Sequence, residues 1–257
     1  MADRSVARPP RAGHADHVQA LFDSKSVDWS GKYAPNSPLS GRLTQFADAV
    51  VTRVAAGGEL LDLGCGTGEI TRHLAAVGYR MTGCDIAPQM LSRAAAADEH
   101  RSVSWIQLDP GWQTLPFASR SLDAVIAASV LEYAEDPAAI LGECARVLRP
   151  GGTLLCTVPN QAHPVRWLEW PLIWAARTPL ARVVAGAHPR VPLYLAYLRV
   201  SRQRRTVRWW NASARRAGFR SAPLAGKRAS RAPLRLIALN RTEDTLGSAR
   251  ATIRRHR

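Results

Sequence analysis

The sequence predicts an α/β protein built on a doubly wound, mostly parallel sheet. Three observations predict it. Short apolar runs alternate with helix-length amphipathic stretches from Leu60 to Val158, the rhythm of a parallel sheet covered on both faces. The first run breaks into a glycine turn, Gly64-Cys65-Gly66-Thr67-Gly68, at the head of a helix. The second run ends on an acid, Asp85. Right-handed crossovers make such an alternation doubly wound, and ligands of such sheets sit at the carboxyl ends of the strands.

Each element follows from local chemistry. Residues 1–13, with Arg8-Pro9-Pro10-Arg11, read as a flexible tail. Residues 14–40 carry Leu21, Phe22, Trp29 and Tyr33 among polar residues, and Asn36-Ser37-Pro38 marks a turn. Residues 42–55 have helical spacing through Leu43, Phe46, Val50, Val51 and Val54, and stop at Gly57-Gly58. Leu60–Leu63 is the first strand, Glu69–Val77 a helix ended by Gly78, Tyr79–Cys84 the second strand and Ala87–Ala97 a helix. Val103–Leu108 and Leu122–Ala128 are the next strands, followed by a helix over Pro137–Leu148. The turn Arg149-Pro150-Gly151-Gly152 leads into a fifth strand, Thr153–Val158. Residues 163–205 interrupt the rhythm. Trp167, Trp170 and Trp174 share one helical face there, and Pro171, Pro179, Pro189 and Pro192 divide the region. Thr206–Ala217 is helical, Phe219–Leu224 and Leu234–Asn240 are strands, and 242–257 is a polar tail.

Bulk properties narrow the class. A chain of 257 residues suffices for one large domain, and its apolar fraction of 46% is ordinary for a globular protein. No stretch approaches the roughly 18–20 apolar residues of a membrane span. Met1-Ala2-Asp3-Arg4 opens no apolar signal segment. The four cysteines, Cys65, Cys84, Cys144 and Cys156, are too scattered for a zinc site or a disulfide framework. A cytoplasmic location is expected, with the membrane periphery left open. Charge is uneven: residues 1–160 hold 14 Lys+Arg against 17 Asp+Glu, a net of −3, whereas 161–257 hold 21 against 3, a net of +18. Nearly all of that positive charge is arginine. An Arg- and Ala-rich composition bias accounts for it as well as an anionic partner does, and both readings stand.

The chemistry gathers at the glycine turn. Glycine tolerates positive φ and lets a ligand approach the backbone, while the following helix start offers N–H groups to an anion. Asp85, at a strand end, is suited to both hydroxyls of a ribose. In Gly64-Cys65-Gly66-Thr67-Gly68-Glu69, Glu69 stands where the dinucleotide fingerprint wants a small residue. That departure favours adenosylmethionine over NAD and disfavours a dehydrogenase.

Four blocks in order carry a family resemblance: Leu61 to Gly68; Gly83-Cys84-Asp85-Ile86-Ala87-Pro88-Gln89-Met90-Leu91; Leu115-Pro116-Phe117 with Leu122-Asp123-Ala124-Val125; and Val130-Leu131-Glu132-Tyr133 with Asp136-Pro137 and Arg146 to Gly152. The chain resembles the class I S-adenosylmethionine-dependent methyltransferases of the small-molecule type, close to the ubiquinone and menaquinone methylases. The resemblance implies a Rossmann-like, seven-stranded, mostly parallel sheet with a C-terminal antiparallel strand. It implies one methyltransferase domain over 14–241, comprising a lid and helix (14–56), a cofactor-binding core (57–160), a substrate-cap insertion (161–205) and a final helix with a strand pair (206–241).

The resemblance also implies roles. Gly64 and Gly66 would line the methionine part of S-adenosyl-L-methionine, Asp62 its amino group and Asp85 its ribose. Cys65, Gly68, Ile86 and Ser129 complete the expected cofactor shell. Asp109 would meet the adenine, although five residues separate it from Leu115-Pro116-Phe117 where the family has three, and a gapless alignment puts Gly111 there instead. Trp112 either covers the adenine or packs within its loop. Phe22, Trp29 and Tyr33 either exclude water as a lid or pack on the first helix. The expected reaction is in-line methyl transfer to O, N or C, for which alignment is the main requirement and a general base is optional. Glu132, Tyr133 and His163 are the candidate bases, with His188 more remote; no metal is expected. Trp167, Trp170 and Trp174 either line a substrate cap or pack on the sheet. The expected acceptor is a small molecule, large and partly apolar, with contact to a membrane surface open. Two rivals differ in class. A nucleic-acid methyltransferase would use the basic half, including Arg199, Arg202, Arg204, Arg205 and Arg208. Ala128-Ser129-Val130-Leu131-Glu132-Tyr133 replaces the Asn/Asp-Pro-Pro-aromatic block of base methylases, however. A cofactor-binding scaffold without catalysis would keep the turn and lack turnover.

Overall fold

A computed structural model describes residues 13–37, 39–175, 178, 190–224 and 233–242. The tail at 1–12, His188 and the C-terminal stretch 243–257 lie outside the described residues.

The sheet is seven-stranded, in the order β3-β2-β1-β4-β5-β7-β6. Its strands are β1 (Glu59–Leu63), β2 (Arg80–Asp85), β3 (Val103–Gln107), β4 (Leu122–Ala127), β5 (Leu148–Pro159), β6 (Phe219–Ala222) and β7 (Leu234–Arg241). β7 runs antiparallel to both neighbours, and the other pairings are parallel. The strand order reverses between β1 and β4, which opens a crevice at the carboxyl ends of these strands.

Both faces of the central strands are buried, as a parallel sheet requires. The period of two assigns alternate residues to opposite layers. Leu60 and Ile126 pack with Phe46 and Val50 of α2 (Ser40–Val51) and Ile70 and Leu74 of α3 (Glu69–Ala76). Leu61 and Val125 pack with Leu141 and Cys144 of α5 (Pro137–Val147) and Trp210 of α8 (Val207–Arg216). α4 (Pro88–Ala96) covers β2 and β3. Caps start the helices where the chain provides them. Asp136 accepts from Ala138 N at 2.9 Å and Ala139 N at 3.1 Å ahead of Pro137, and Thr206 accepts from Trp209 N at 3.3 Å.

Two segments depart from expectation. Residues 14–29, whose apolar residues show no clean helical period, form a 16-residue helix, α1 (His14–Trp29), continued by a 3₁₀ turn, Ser30–Tyr33. Tertiary contacts hold it: Val18 and Leu21 pack with Tyr133 and Val200. The predicted turn at Arg149–Gly152 belongs instead to the start of β5, where the ladder with β4 slips between Leu122 and Ala124. The insertion contains α6 (Val165–Ala175) and α7 (Arg190–Val200), and Pro171 lies inside α6 without ending it. Among the described residues no helix is long and apolar enough to cross a membrane.

Candidate functional site

A cavity of about 280 Å³ lies at the carboxyl ends of β1, β2 and β4. The glycine turn forms part of its wall. Gly64 N and Cys65 N both donate to Cys84 O, at 2.7 and 3.0 Å, tying the turn to the end of β2. Gly64 and Gly66 have φ of +69° and +58°, a region L side chains rarely adopt. A Cβ on Gly64 would stand 2.4 Å from Val130 Cγ2, and one on Gly66 would stand 3.2 Å from Trp29 Nε1. These two glycines thus let the β4–α5 loop and α1 close onto the turn. Gly68 does different work. It caps α3 at φ +78° and leaves room for the Trp105 ring, outside the cavity wall.

Two buried carboxylates face this turn. Asp85 accepts from Gly66 N at 2.8 Å through Oδ2 and from Ala87 N at 2.9 Å through Oδ1. The Ile86 N–H also favours the carboxylate, and acceptor capacity remains for a further donor. Burial raises its pKa, and the bonds from Ala87 and Gly66 work against that rise. Asp62 is 1% exposed; its Oδ2 accepts from Thr71 Oγ1 at 2.7 Å, and its Oδ1 has no partner. Burial pushes this carboxyl up to about 7, against the Thr71 bond, with nearby Asp85 adding to the rise. Arg42 is the only arginine or lysine on the wall among the described residues, and its charge draws the Asp62 pKa down. Beside it, burial pushes the Tyr33 hydroxyl to about 12.

The remaining expected residues divide clearly. Cys65, Ile86 and Ser129 reach the wall. Ser129 does so with φ 62°, its N–H donating to Thr157 Oγ1 at 2.8 Å. Burial lifts the Cys65 thiol well above its ordinary range, so it stays protonated and unreactive. Phe22, Trp29 and Tyr33 all line the cavity, with Phe22 edge-on to Trp29 at 5.5 Å and to Tyr133 at 5.1 Å. Asp109 does not reach it. The turn closed by Trp112 N donating to Asp109 O at 3.1 Å leaves Asp109 exposed, and Gly111, Trp112 and Gln113 face the cavity in its place.

Of the candidate bases, Tyr133 is on the wall, and burial beside Glu132 lifts its hydroxyl well above its usual value. Glu132 sits behind the wall, fully buried, with Oε2 unpartnered and its pKa raised by burial against the pull of Arg166. His163 lies away from the cavity, where its Nδ1 accepts from Val165 N at 3.2 Å at the start of α6. The tryptophans of α6 neither line the cavity nor pack on the sheet. Trp167, Trp170 and Trp174 are 71%, 71% and 66% exposed, because Arg166 and Glu169 take the inner face of the helix.

Of the wall residues that escaped the sequence reading, His14 and Arg42 bear most on chemistry. His14, buried at the start of α1, contributes its ring: a carbonyl can only accept, so Nε2 donates to Tyr133 O at 2.8 Å and Nδ1 is left as an acceptor. Arg42 reaches the wall from α2. Neither lies in a motif, and only the fold of α1 and α2 over the sheet edge brings them in.

Residues 61–156 match the family described as methyltransferase domain. That match covers 96 of the 257 residues, under half of the chain. A ubiquinone biosynthesis O-methyltransferase of Xanthomonas campestris pv. campestris is 34% identical over 145 residues, covering 54% of this chain and 59% of that relative. The chain thus spans under two thirds of the curated relatives it matches. Magnesium protoporphyrin IX methyltransferase from Synechocystis, solved with bound SAH, superposes with a TM-score of 0.63 at 18% identity, covering 88% of this chain and 98% of that one. The [4+2]-cyclase SpnF superposes equally well, at 0.63 and 17% identity over 88% of this chain and 96% of its own. Likeness at that level shows the fold alone. Any case for chemistry rests on the wall of the cavity.

Proposed function

We propose that the methyltransferase domain moves a methyl group from S-adenosylmethionine to a hydroxyl of a small, largely apolar acceptor. One observation carries the reading. The unpartnered Oδ1 of Asp62 and the guanidinium of Arg42 share a wall with the glycine turn and Asp85. A carboxylate and a guanidinium in one cavity complement the ammonium and carboxylate of an amino-acid zwitterion. The remaining acceptor capacity of Asp85 suits a ribose hydroxyl. The residues therefore fit the group. When bound, S-adenosylmethionine supplies an electrophilic methyl on a sulfonium.

The chain's own residues do the rest. Asp62 and Arg42 hold the amino-acid end, Asp85 holds the sugar, and Gly111, Trp112 and Gln113 border the base. Phe22, Trp29 and Tyr133 exclude water and present an apolar face to the acceptor. The name of the Xanthomonas relative supports an oxygen acceptor. His14 Nδ1 takes the acceptor's proton, while its Nε2–H bond to the Tyr133 carbonyl fixes the tautomer. Tyr133, held protonated, orients the acceptor and does not act as the base.

Calorimetric titration of the full chain with S-adenosylmethionine tests the binding half. Saturable heat is expected, with affinity reduced at least about tenfold by Asp85→Ala, in line with a lost charge-assisted hydrogen bond. No heat in the parent chain would end the proposal. His14→Gln tests the proton acceptor: kcat should fall by about 10²-fold or more with cofactor affinity unchanged, and unchanged kcat on a phenolic acceptor returns the base to another residue.

A further inference from the structure

Helix α6 is built inside out. Arg166 and Glu169 are buried on its inner face, at 6% and 3% exposure, while three tryptophans point outward. The inner face is fixed by charge. Arg166 Nη1 donates to both Glu169 oxygens at 3.0 Å, and its Nη2 donates to Pro233 O at 3.0 Å. Tyr194 OH donates to Glu169 Oε1 at 2.9 Å, and Arg204 Nη1 donates to Oε2. Rolling α6 to bury its indoles would expose this network and strand its partners, so the outward stripe is a fixed feature of the fold. Apolar stripes of this kind on a surface mark an interaction site.

The neighbouring surface is basic. Residues 199–208 contain Arg199, Arg202, Arg204, Arg205 and Arg208 and no acid. Arg199, Arg202, Arg205 and Arg208 are exposed. Stripe and strip adjoin, because a cavity of about 560 Å³ has Trp170 and Ile173 on its wall together with Arg199, Ser201, Arg202 and Arg204. Within it Ser201 Oγ and Arg204 Nη2 are buried without a hydrogen-bond partner. The 11-residue helix is too short to span a bilayer.

We propose that α6 and the arginine strip 199–208 dock on an anionic lipid surface, with the indoles at headgroup depth and the exposed guanidiniums of Arg199, Arg202, Arg205 and Arg208 on lipid phosphates. Tryptophan favours that depth because its ring is apolar with one polar edge, and clustered arginines add attraction to acidic lipid. A second copy is a poor occupant: a two-fold contact through this face would set the arginine strip against itself. The docked face lies close to the catalytic cavity. α7 packs on α6, and its Tyr197 ring meets the wall residue Tyr133 at 5.6 Å. An apolar acceptor dissolved in the bilayer then has a short route in. Docking itself does not depend on the methyl-transfer reading.

Flotation of the full chain with phosphatidylglycerol/phosphatidylcholine vesicles, against phosphatidylcholine alone, is the test. Binding is expected only to the acidic vesicles and should weaken as salt rises. Each arginine near the surface is worth about fivefold, so Arg205→Gln with Arg208→Gln should lower affinity about 30-fold. Brominated lipids should quench the parent protein's tryptophan emission. Trp167→Ser, Trp170→Ser and Trp174→Ser together should abolish both quenching and flotation, with S-adenosylmethionine titration of the variant reporting the cavity separately. Should the triple variant fail to fold, quenching of the parent decides alone. Absence of binding to acidic vesicles at low salt, binding that survives in the folded triple variant, a dimer held by the tryptophans without lipid binding, or retention on tRNA and not on vesicles would each overturn the proposal.

Discussion

Replacing Asp62 with Asn tests the electrostatics of the cavity most directly. Burial raises the carboxyl from 3.8 to about 7, whereas in the unfolded chain an aspartate titrates near its ordinary value, about 3.9. Between roughly pH 4 and pH 7 the folded state therefore holds a proton that the unfolded state has lost. Stability tied to the protonated carboxyl is complete below about pH 4 and is lost as pH rises through about 7. A rise of that size corresponds to a charge-burial penalty on the order of 4 kcal/mol above that window. Asparagine has the same shape, keeps an oxygen for Thr71 Oγ1 and carries no charge. Its own buried amide costs about 1–3 kcal/mol if left unpaired. In the absence of ligand, Asp62→Asn should be more stable than the parent by about 1–3 kcal/mol near pH 8, and equal or less stable near pH 4.5. Urea unfolding of both proteins across that range gives the difference directly, because other titrating groups cancel. With S-adenosylmethionine present that advantage should shrink or reverse: losing the ammonium's counter-charge costs about 1.5–3 kcal/mol, or roughly 10- to 150-fold in affinity. A stability difference that does not change with pH would refute the claim that Asp62 is held protonated by burial.

Other substitutions probe separate parts of the argument. Gly64→Ala combines a strained φ of +69° with a Cβ 2.4 Å from Val130, whereas Gly78→Ala carries the strain alone, at φ +97° with nothing within 4 Å. By thermal melts Gly78→Ala should cost about 1–2 kcal/mol, Gly64→Ala should cost more, and only Gly64→Ala should weaken S-adenosylmethionine binding. Glu169→Gln leaves Arg166 and Arg204 without their carboxylate and should cost about 3–5 kcal/mol, or a Tm lower by about 10 °C. Burial alone would lift the Glu169 carboxyl, but hydrogen bonds from Arg204 and Arg166 hold it below its usual range. The stability it confers should therefore be complete above the ordinary glutamate pKa and fade as pH falls through the lowered value. His163→Ala should leave turnover within about twofold and cost about 1 kcal/mol through the lost bond to Val165 N, measured by initial rates and urea unfolding.

The central sheet was legible because its residues have no alternative. Leu60 faces one side of the sheet and Leu61 and Leu63 the other, and a strand with leucines on both faces is stable only between two helical layers. The glycine turn and Asp85 were legible because strand, turn, helix and strand-end acid stand in fixed sequence order. Asp109 lies off the cavity wall because the turn at Gly111, which counting from the strand end ignores, leaves the acid exposed. His14 and Arg42 stayed hidden because their role depends on where α1 and α2 settle over the sheet edge, and packing, not periodicity, decides that. The α6 tryptophans misled for a related reason. An apolar stripe at helical spacing ordinarily faces inward, and the buried Arg166–Glu169 pair that reverses it is invisible until Tyr194 and Arg204 are brought alongside.

Asp62 and Asp85 give the cavity a built-in dependence on its ligand. Both are buried with raised pKa values, and electrostatic repulsion from Asp85 adds to the rise at Asp62. The structure without ligand is therefore less stable near neutral pH than its packing alone would make it. A cation bound there relieves that repulsion, drives proton release from Asp62 and stabilises the fold together. The three effects are one free energy measured in different ways, so they must agree in size. Heat of binding in buffers of different ionisation enthalpy reports the protons released, and the Tm rise at saturating S-adenosylmethionine reports the stabilisation. A neutral nucleoside with the same ribose and base should engage Asp85 and leave Asp62 protonated, so it should release few protons and raise Tm less. If it matched S-adenosylmethionine on both measures, Asp62 would have no part in recognising charge, and the assignment of the amino-acid end of the cavity would fall with it.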